Sequence, residues 1–192
     1  MYKLCKTEQS AARQRELEHG LLSVMNTVRY EDISVSDLCQ KLNIPRKSFY
    51  RYFSSKDGAL HALIDHTLME FETLSVYPQG RHRSLHGDLE GFFQFWVQHK
   101  PLLDALGKSS LSGVLIERSI DYSVSDGVFP SRFLSDDVMR MQQHVMMFAV
   151  CGLMTMMLQW HHGGYLEAVS DMAKIAARLL TRPLFPDVEK MI

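Results

Sequence analysis

Residues 43–53 read Asn43-Ile44-Pro45-Arg46-Lys47-Ser48-Phe49-Tyr50-Arg51-Tyr52-Phe53: three cations and four aromatic rings with no acid among them. At about 100° per residue, Phe49 and Phe53 fall on one side of a helix. Lys47 and Arg51 point almost directly opposite, with Tyr50 beside them, and Arg46 stands in the first turn. One face therefore anchors the helix and the other presents two cations and a phenol. A core segment would not tolerate the cations, and a plain surface helix would not use so many rings. The same division suits a helix entering a DNA major groove, where cations meet phosphate or guanine and a phenol bonds the backbone.

The flanking residues supply the rest of a helix-turn-helix. Ser34 can cap a short helix over Ser34–Leu42, with Asp37 three residues on in the capping-box position and Val35, Leu38 and Leu42 on its buried face. Asn43 tolerates the left-handed conformation that ends a helix. Pro45 suits the first turn of the next helix, Arg46–Phe53, because a proline there forfeits no intrahelical bond. Ser55 then caps a long fourth helix carrying Leu60, Leu63, Ile64, Leu68 and Phe71. Upstream, Leu17, Leu21, Val24, Met25 and Val28 line one face of a first helix from about Thr7 to Val28.

With these residues in view, Ser34–Leu38, Leu42–Ile44, the phrase FYRYFSSKDGAL at Phe49–Leu60 and the surrounding residues 10–62 resemble the DNA-binding domain of TetR-family transcriptional regulators. The resemblance implies an all-helical dimer with a DNA-reading three-helix bundle at residues 1–62. It further implies a helical ligand-binding and dimerisation domain at residues 63–192. Carried over position by position, the family's DNA contacts fall on Ser34, Ser36, Arg46, Lys47, Ser48, Tyr50, Arg51, Tyr52 and Lys56. Three residues depart from the family pattern: Arg29 replaces a glycine, Pro45 a small hydroxyl residue, and Lys47 a small residue.

The charge distribution agrees with a local cationic surface. The net charge is −1, so no global field draws the chain onto a polyanion. Yet residues 1–60 hold ten Lys/Arg against seven Asp/Glu, whereas residues 61–192 hold eleven against fifteen. Five basic residues and no acid lie from Lys41 to Lys56. Cys5, Cys39 and Cys151 are odd in number and widely spaced, which fits a reducing compartment rather than a disulfide framework. The first residues contain no apolar signal segment, and Val145–Leu158 is too short to span a bilayer. A cytoplasmic location and no membrane partner are expected.

Beyond residue 80 the apolar periods remain helical, predicting Leu85–Lys100, Pro101–Leu106, Leu111–Tyr122, Ser135–His162 and Leu166–Leu180. A linker is expected at Pro78-Gln79-Gly80 and a loop at Asp126–Pro130. The fold class is all-α, with about nine helices in total. Phe92, Phe95 and Trp96 share a face at i, i+3, i+4. With Met147 and Cys151 they are candidates to line a site for a small, mostly apolar ligand, or else to fill an ordinary core. The last two helices are apolar over more than one face. Pairing with a second copy would bury Met146, Met154, Met157, Leu158, Ala173 and Ala177.

No metal site is expected, because His61/His66, His82/His86 and His161/His162 lack partners at zinc spacing. No cofactor or catalytic motif is found either: there is no G-x-S-x-G, P-loop or dinucleotide fingerprint. The sequence therefore predicts a non-enzymatic, ligand-responsive regulator that binds a palindromic operator as a homodimer, most simply a repressor. The alternatives are an activator of the same fold, or a helical interaction protein without sequence-specific DNA reading.

Overall fold

The computed structural model describes residues 1–76, 84–125 and 136–182. Among them the regular elements are α-helices, joined by one 3₁₀ turn and one isolated β-bridge. In chain order they are α1 (Glu8–Met25), the 3₁₀ turn (Tyr30–Asp32), α2 (Val35–Lys41), α3 (Arg46–Tyr50), α4 (Lys56–Val76) and α5 (Leu85–Gln98). They continue with α6 (Lys100–Lys108), α7 (Ser112–Ser125), α8 (Asp136–His162) and α9 (Val169–Thr181). The all-α class is thus the observed one. The expected linker at 78–80 and loop at 126–130 lie outside the described residues.

Helix boundaries follow local chemistry. Thr7 opens α1, its hydroxyl accepting from Ser10 N at 3.2 Å. α1 stops at Met25, short of Val28, where side chains compete for the last carbonyls. Asn26 Nδ2 donates to Leu22 O at 3.0 Å and Thr27 Oγ1 to Val24 O at 2.9 Å. Ser34 caps α2 through Asp37 N at 3.1 Å, and Asn43 ends it at φ 51°. Pro45 is the N-cap of α3 rather than its first helical residue. Gly164 (φ 78°) follows the end of α8. α9 begins at Val169 instead of Leu166, since Trp160 Nε1 donates to Glu167 O at 3.1 Å and holds that link out of helix.

The described chain forms two compact units that do not follow one another linearly. Residues 1–70 and 100–125 make up the first, so α6 and α7 pack with the helix-turn-helix segment rather than with the residues that precede them. Its core is built from Leu17, Leu21, Met25, Leu38, Phe49, Phe53, Leu60, Ile64, Leu103 and Leu106, each at most 2 % exposed. Two carboxylates are buried with them and both are paired, as a buried charge requires. Asp65 accepts from Tyr2 Oη at 2.8 Å and from Arg118 Nε and Nη2 at 2.8 and 2.5 Å. Glu18 lies 2.9 and 3.0 Å from His66 Nδ1.

The second unit comprises residues 71–99 and 136–182, with α5 packed on α8 and on α9. Aromatic rings fill it: Phe71 meets Phe92 and Phe95 at 5.8 and 5.1 Å, and Phe93 meets Trp160 at 5.5 Å. Met154, Met157, Met172, Ala173 and Ala176 complete the core. Among the described residues no helix is long and apolar enough to cross a membrane.

Candidate nucleic-acid interface

The turn between α2 and α3 is closed by backbone bonds from Asn43 N to Gln40 O (3.1 Å) and Ile44 N to Cys39 O (2.9 Å). The left-handed Asn43 makes that closure possible. α3 itself is a single turn and a half, too short to be stable alone, so its placement depends on side-chain burial. Phe49 and Phe53 supply it: they are 0 % and 1 % exposed, with ring centroids 5.2 Å apart. α3 ends at Tyr50, but Phe53 N still reaches Phe49 O at 3.1 Å. The i, i+4 anchor read from the sequence therefore survives the shorter helix.

Opposite the anchor, Arg46, Lys47, Tyr50 and Arg51 are exposed, as are Ser34 and Ser36 at the start of α2, while Ser48 is half-buried. Arg46, Lys47 and Arg51 have no carboxylate partner among the described residues. The two guanidiniums instead lie near rings, Arg46 Cζ 6.0 Å from the Tyr50 centroid and Arg51 Cζ 5.9 Å from that of Tyr52. Ser34 Oγ is engaged within its own helix: it accepts from Asp37 N and donates to Asp37 Oδ2 at 2.5 Å.

Two of the expected contact residues lie elsewhere. Tyr52 is 7 % exposed and belongs to the core side. Its N–H bonds Phe49 O, three residues back, at 3.0 Å, and this tighter turn rotates it away from the exposed face. Lys56 is half-buried and faces inward. Its Nζ donates to Tyr30 O at 2.5 Å and Ile33 O at 2.7 Å, and sits 4.1 Å from the Tyr30 ring centroid. Tyr30 is further held by Asp57, which accepts from its Oη at 2.6 Å, and by Ser109 Oγ, which accepts from its N–H at 2.8 Å. Burial, then the bond to Asp57, push the Tyr30 phenol well above its ordinary value. Sequence reading missed this cluster, whose members are separated by up to 79 positions. No local pattern marks it.

The candidate ligand residues divide. Phe92, Phe95 and Trp96 are buried, the first two against the half-buried ring of Phe71, and Trp96 Nε1 has no hydrogen-bond partner among the described residues. Met147 is exposed and Cys151 half-buried on α8. The candidate dimer residues also divide. Met154, Met157 and Ala173 are at most 3 % exposed because they fill the second unit's own core. Met146, Leu158 and Ala177 are half-buried. The apolar side chains that do face outward on these helices are Met141, Val145, Met147 and Phe148 of α8 and Ile175, Leu179 and Leu180 of α9. Among the described residues no group of His, Cys, Asp and Glu could hold a metal ion.

Comparison with known proteins agrees with this geometry. The model for bacterial regulatory proteins of the tetR family matches residues 22–63, from late α1 through α2 and α3 into α4. The HTH-type transcriptional regulator EthR of Mycolicibacterium smegmatis is 30% identical over 81 residues. That match takes in 40% of this chain and spans 37% of the relative's length. Two solved structures share the fold at low identity. The dihydroxyacetone kinase operon activator DhaS superposes with a TM-score of 0.54 at 14% identity, over 88% of this chain and 93% of its own. The fatty acid degradation regulator FadR from Bacillus halodurans gives 0.56 at 12%, over 94% and 98%. Residues 22–63 are thus similar to the helix-turn-helix segment of bacterial regulatory proteins of the tetR family.

Proposed function

We propose that the protein is a homodimeric transcriptional repressor that reads a palindromic operator and releases it on binding a small, mostly apolar ligand. The observation that carries this reading is the exposed face of α3. Three cations and a phenol stand there without carboxylate partners, on a helix locked from behind by Phe49 and Phe53. Each subunit lays α3 in one major groove, and the two half-sites lie about one helical turn, roughly 34 Å, apart. Arg46, Lys47, Ser48, Tyr50 and Arg51 make the contacts, with Ser36 and the start of α2 against the backbone. Lys56 and Tyr52 position this surface from within.

Residues 1–62 do the reading, and residues 63–192 dimerise and bind the ligand. The outward apolar residues of α8 and α9 supply the dimer contact, since faces of this kind are stable when a second copy covers them. The ligand site lies around Phe92, Phe95 and Trp96, and the unpartnered Trp96 Nε1 selects a molecule with one hydrogen-bond acceptor. Ligand binding shifts the population toward a dimer whose two reading helices no longer match the half-site spacing.

The test is selection of the purified protein against random duplex DNA at about 150 mM salt, followed by sequencing. A two-fold symmetric motif supports the reading. Weak, salt-sensitive binding with no motif, both with and without candidate ligands, overturns it. Placing the selected site over a promoter driving a reporter then separates repression from activation.

A further inference from the structure

We propose that residues 3–6 extend the DNA-reading face as a phosphate-binding strip, with Lys3 and Lys6 as its contacts; the proposal rests on the DNA-binding reading above. Nothing in the helix-turn-helix match, which begins at residue 22, assigns these residues a role.

The segment is built onto the end of the recognition helix. Tyr2 and Phe53 form an antiparallel β-bridge, and Lys3 N donates to Tyr52 O at 3.0 Å. Met1 O accepts from Ser54 N at 3.1 Å and from Ser54 Oγ at 2.7 Å. Residues 1–3 thus run against residues 52–54, immediately after the exposed Arg51. The approach at α4 is close enough to require glycine: a Cβ on Gly58 would lie 2.5 Å from Met1 O.

Side-chain direction follows from that extended pairing, in which successive residues point to opposite sides. Tyr2 turns inward, its Oη donating to Asp65 Oδ2 at 2.8 Å and its ring meeting His66 edge-on at 5.6 Å. Lys3 therefore turns outward, and it is exposed. Cys5 fixes the next stretch, with Sγ 2.8 Å from Gln14 Oε1 on α1. Lys6, which follows it, is exposed too. Neither lysine has an ionic partner among the described residues. Lys3 is thus held by a backbone bond beside the cations of α3, and Lys6 follows the contact of Cys5 with α1. The polymer that α3 reads carries a phosphate on each strand about every 3.4 Å on either side of the groove. An acidic protein would not need cations continuous with a groove-reading helix, so the strip is assigned to the duplex backbone.

The experiment titrates the selected operator with wild type, Lys3→Ala/Lys6→Ala, Gly58→Ala, the three changes combined, and Lys174→Ala as a control in the second unit. Each phosphate contact contributes about 0.9 to the slope of log affinity against log salt. The double lysine variant removes two contacts from each subunit of the homodimer, so it is expected to lose about 3.6 units of slope, to weaken on every sequence in equal proportion, and to select the same motif. Gly58→Ala should keep α4 helical and displace residues 1–3, weakening binding similarly. The lysine changes should then add little to it, and Lys174→Ala should leave the slope unchanged. Wild-type binding to its motif with an unchanged slope in the lysine variant overturns this proposal alone, as does a change confined to particular base positions. Failure of wild type to select any motif overturns the DNA-binding reading, and the strip with it.

Discussion

Lys56 Nζ donates to the carbonyl of Tyr30 at 2.5 Å while lying 4.1 Å from the centroid of the same residue's ring. The ammonium thereby ties the first turn of α4 to the 3₁₀ segment ahead of α2, and through Ile33 O to the residue just before the Ser34 cap. A lysine at this position matches a phosphate contact in the family resemblance; here its charge is held by two carbonyls and a ring, and we propose that it positions the reading surface rather than touching phosphate. Lys56→Ala is expected to destabilise the fold by about 2 kcal/mol, from the lost charge-assisted bonds and cation–π contact. The salt slope of operator binding should stay within about 0.3 of wild type. A slope lower by about 1.8, one contact from each subunit, with the melting temperature unchanged, would mean that the ammonium swings out to phosphate instead.

Two phenols hydrogen-bonded to carboxylates, the half-buried Tyr2 and the buried Tyr30, predict a loss of stability at alkaline pH. Burial first, and then hydrogen bonds to Asp65 and Asp57, raise Tyr2 and Tyr30 above the ordinary phenol value. A raised folded value means the native state holds its proton while the unfolded chain releases it. The contribution is therefore complete below the unfolded phenol value, about 10, and declines as pH rises past it. Denaturant midpoints measured from pH 8 upward should be level and then fall from about pH 10. Tyr30→Phe should cost about 1 kcal/mol at neutral pH and show a shallower alkaline fall. An equally steep fall in that variant would place the titration on other groups.

The helix-turn-helix was legible because it is written locally. The Ser34 cap, the Asn43 stop and the Phe49/Phe53 spacing are each contained within about one turn, and each has its counterpart in the structure. What was not legible depends on residues distant in sequence. The inward turn of Lys56 needs the carbonyls of Tyr30 and Ile33, and the burial of Tyr52 needs a 3₁₀ bond that helical periodicity does not foresee. The same limit applies to α8. Its apolar residues surround the helix, so periodicity could not separate Met154 and Met157, which fill the unit's own core, from Val145 and Phe148, which face outward. Grouping of α6 and α7 with the first unit was likewise invisible, because Arg118 finds Asp65 across 53 positions.

Arg51 separates base reading from phosphate contact. Its exposed guanidinium is free of carboxylates and stands opposite the Phe49/Phe53 anchor. A bidentate pair with guanine contributes about 1–3 kcal/mol of discrimination. Arg51→Ala should therefore weaken binding to the selected motif by that amount in each half-site and relax the preference at one symmetric pair of positions. Repeating the selection with the variant measures this directly. Uniform weakening on all sequences, with a slope reduced by about 1.8 for the two subunits together, would assign Arg51 to phosphate.

The proposed dimer makes its own demand on the outward residues of α8 and α9. Met141, Val145 and Phe148 are spaced i, i+4, i+7 and are 63%, 59% and 69% exposed; Ile175 and Leu179 stand i, i+4 on α9. A second copy would remove these side chains from water at roughly 25 cal/mol per Å² of apolar area. Phe148→Asp combined with Leu179→Asp should therefore convert a species of twice 22.1 kDa to one of 22.1 kDa in sedimentation, with an unchanged helical circular dichroism spectrum. Operator affinity should fall together with dimer content, because one reading helix reaches only one half-site. Met157→Asp serves as the contrast: it places a charge at a position with no exposure, so it should unfold the unit rather than divide the dimer. If the double variant stays at twice the monomer mass, the contact lies on another face. If wild type itself sediments at 22.1 kDa at micromolar concentration, the dimeric reading of the operator fails.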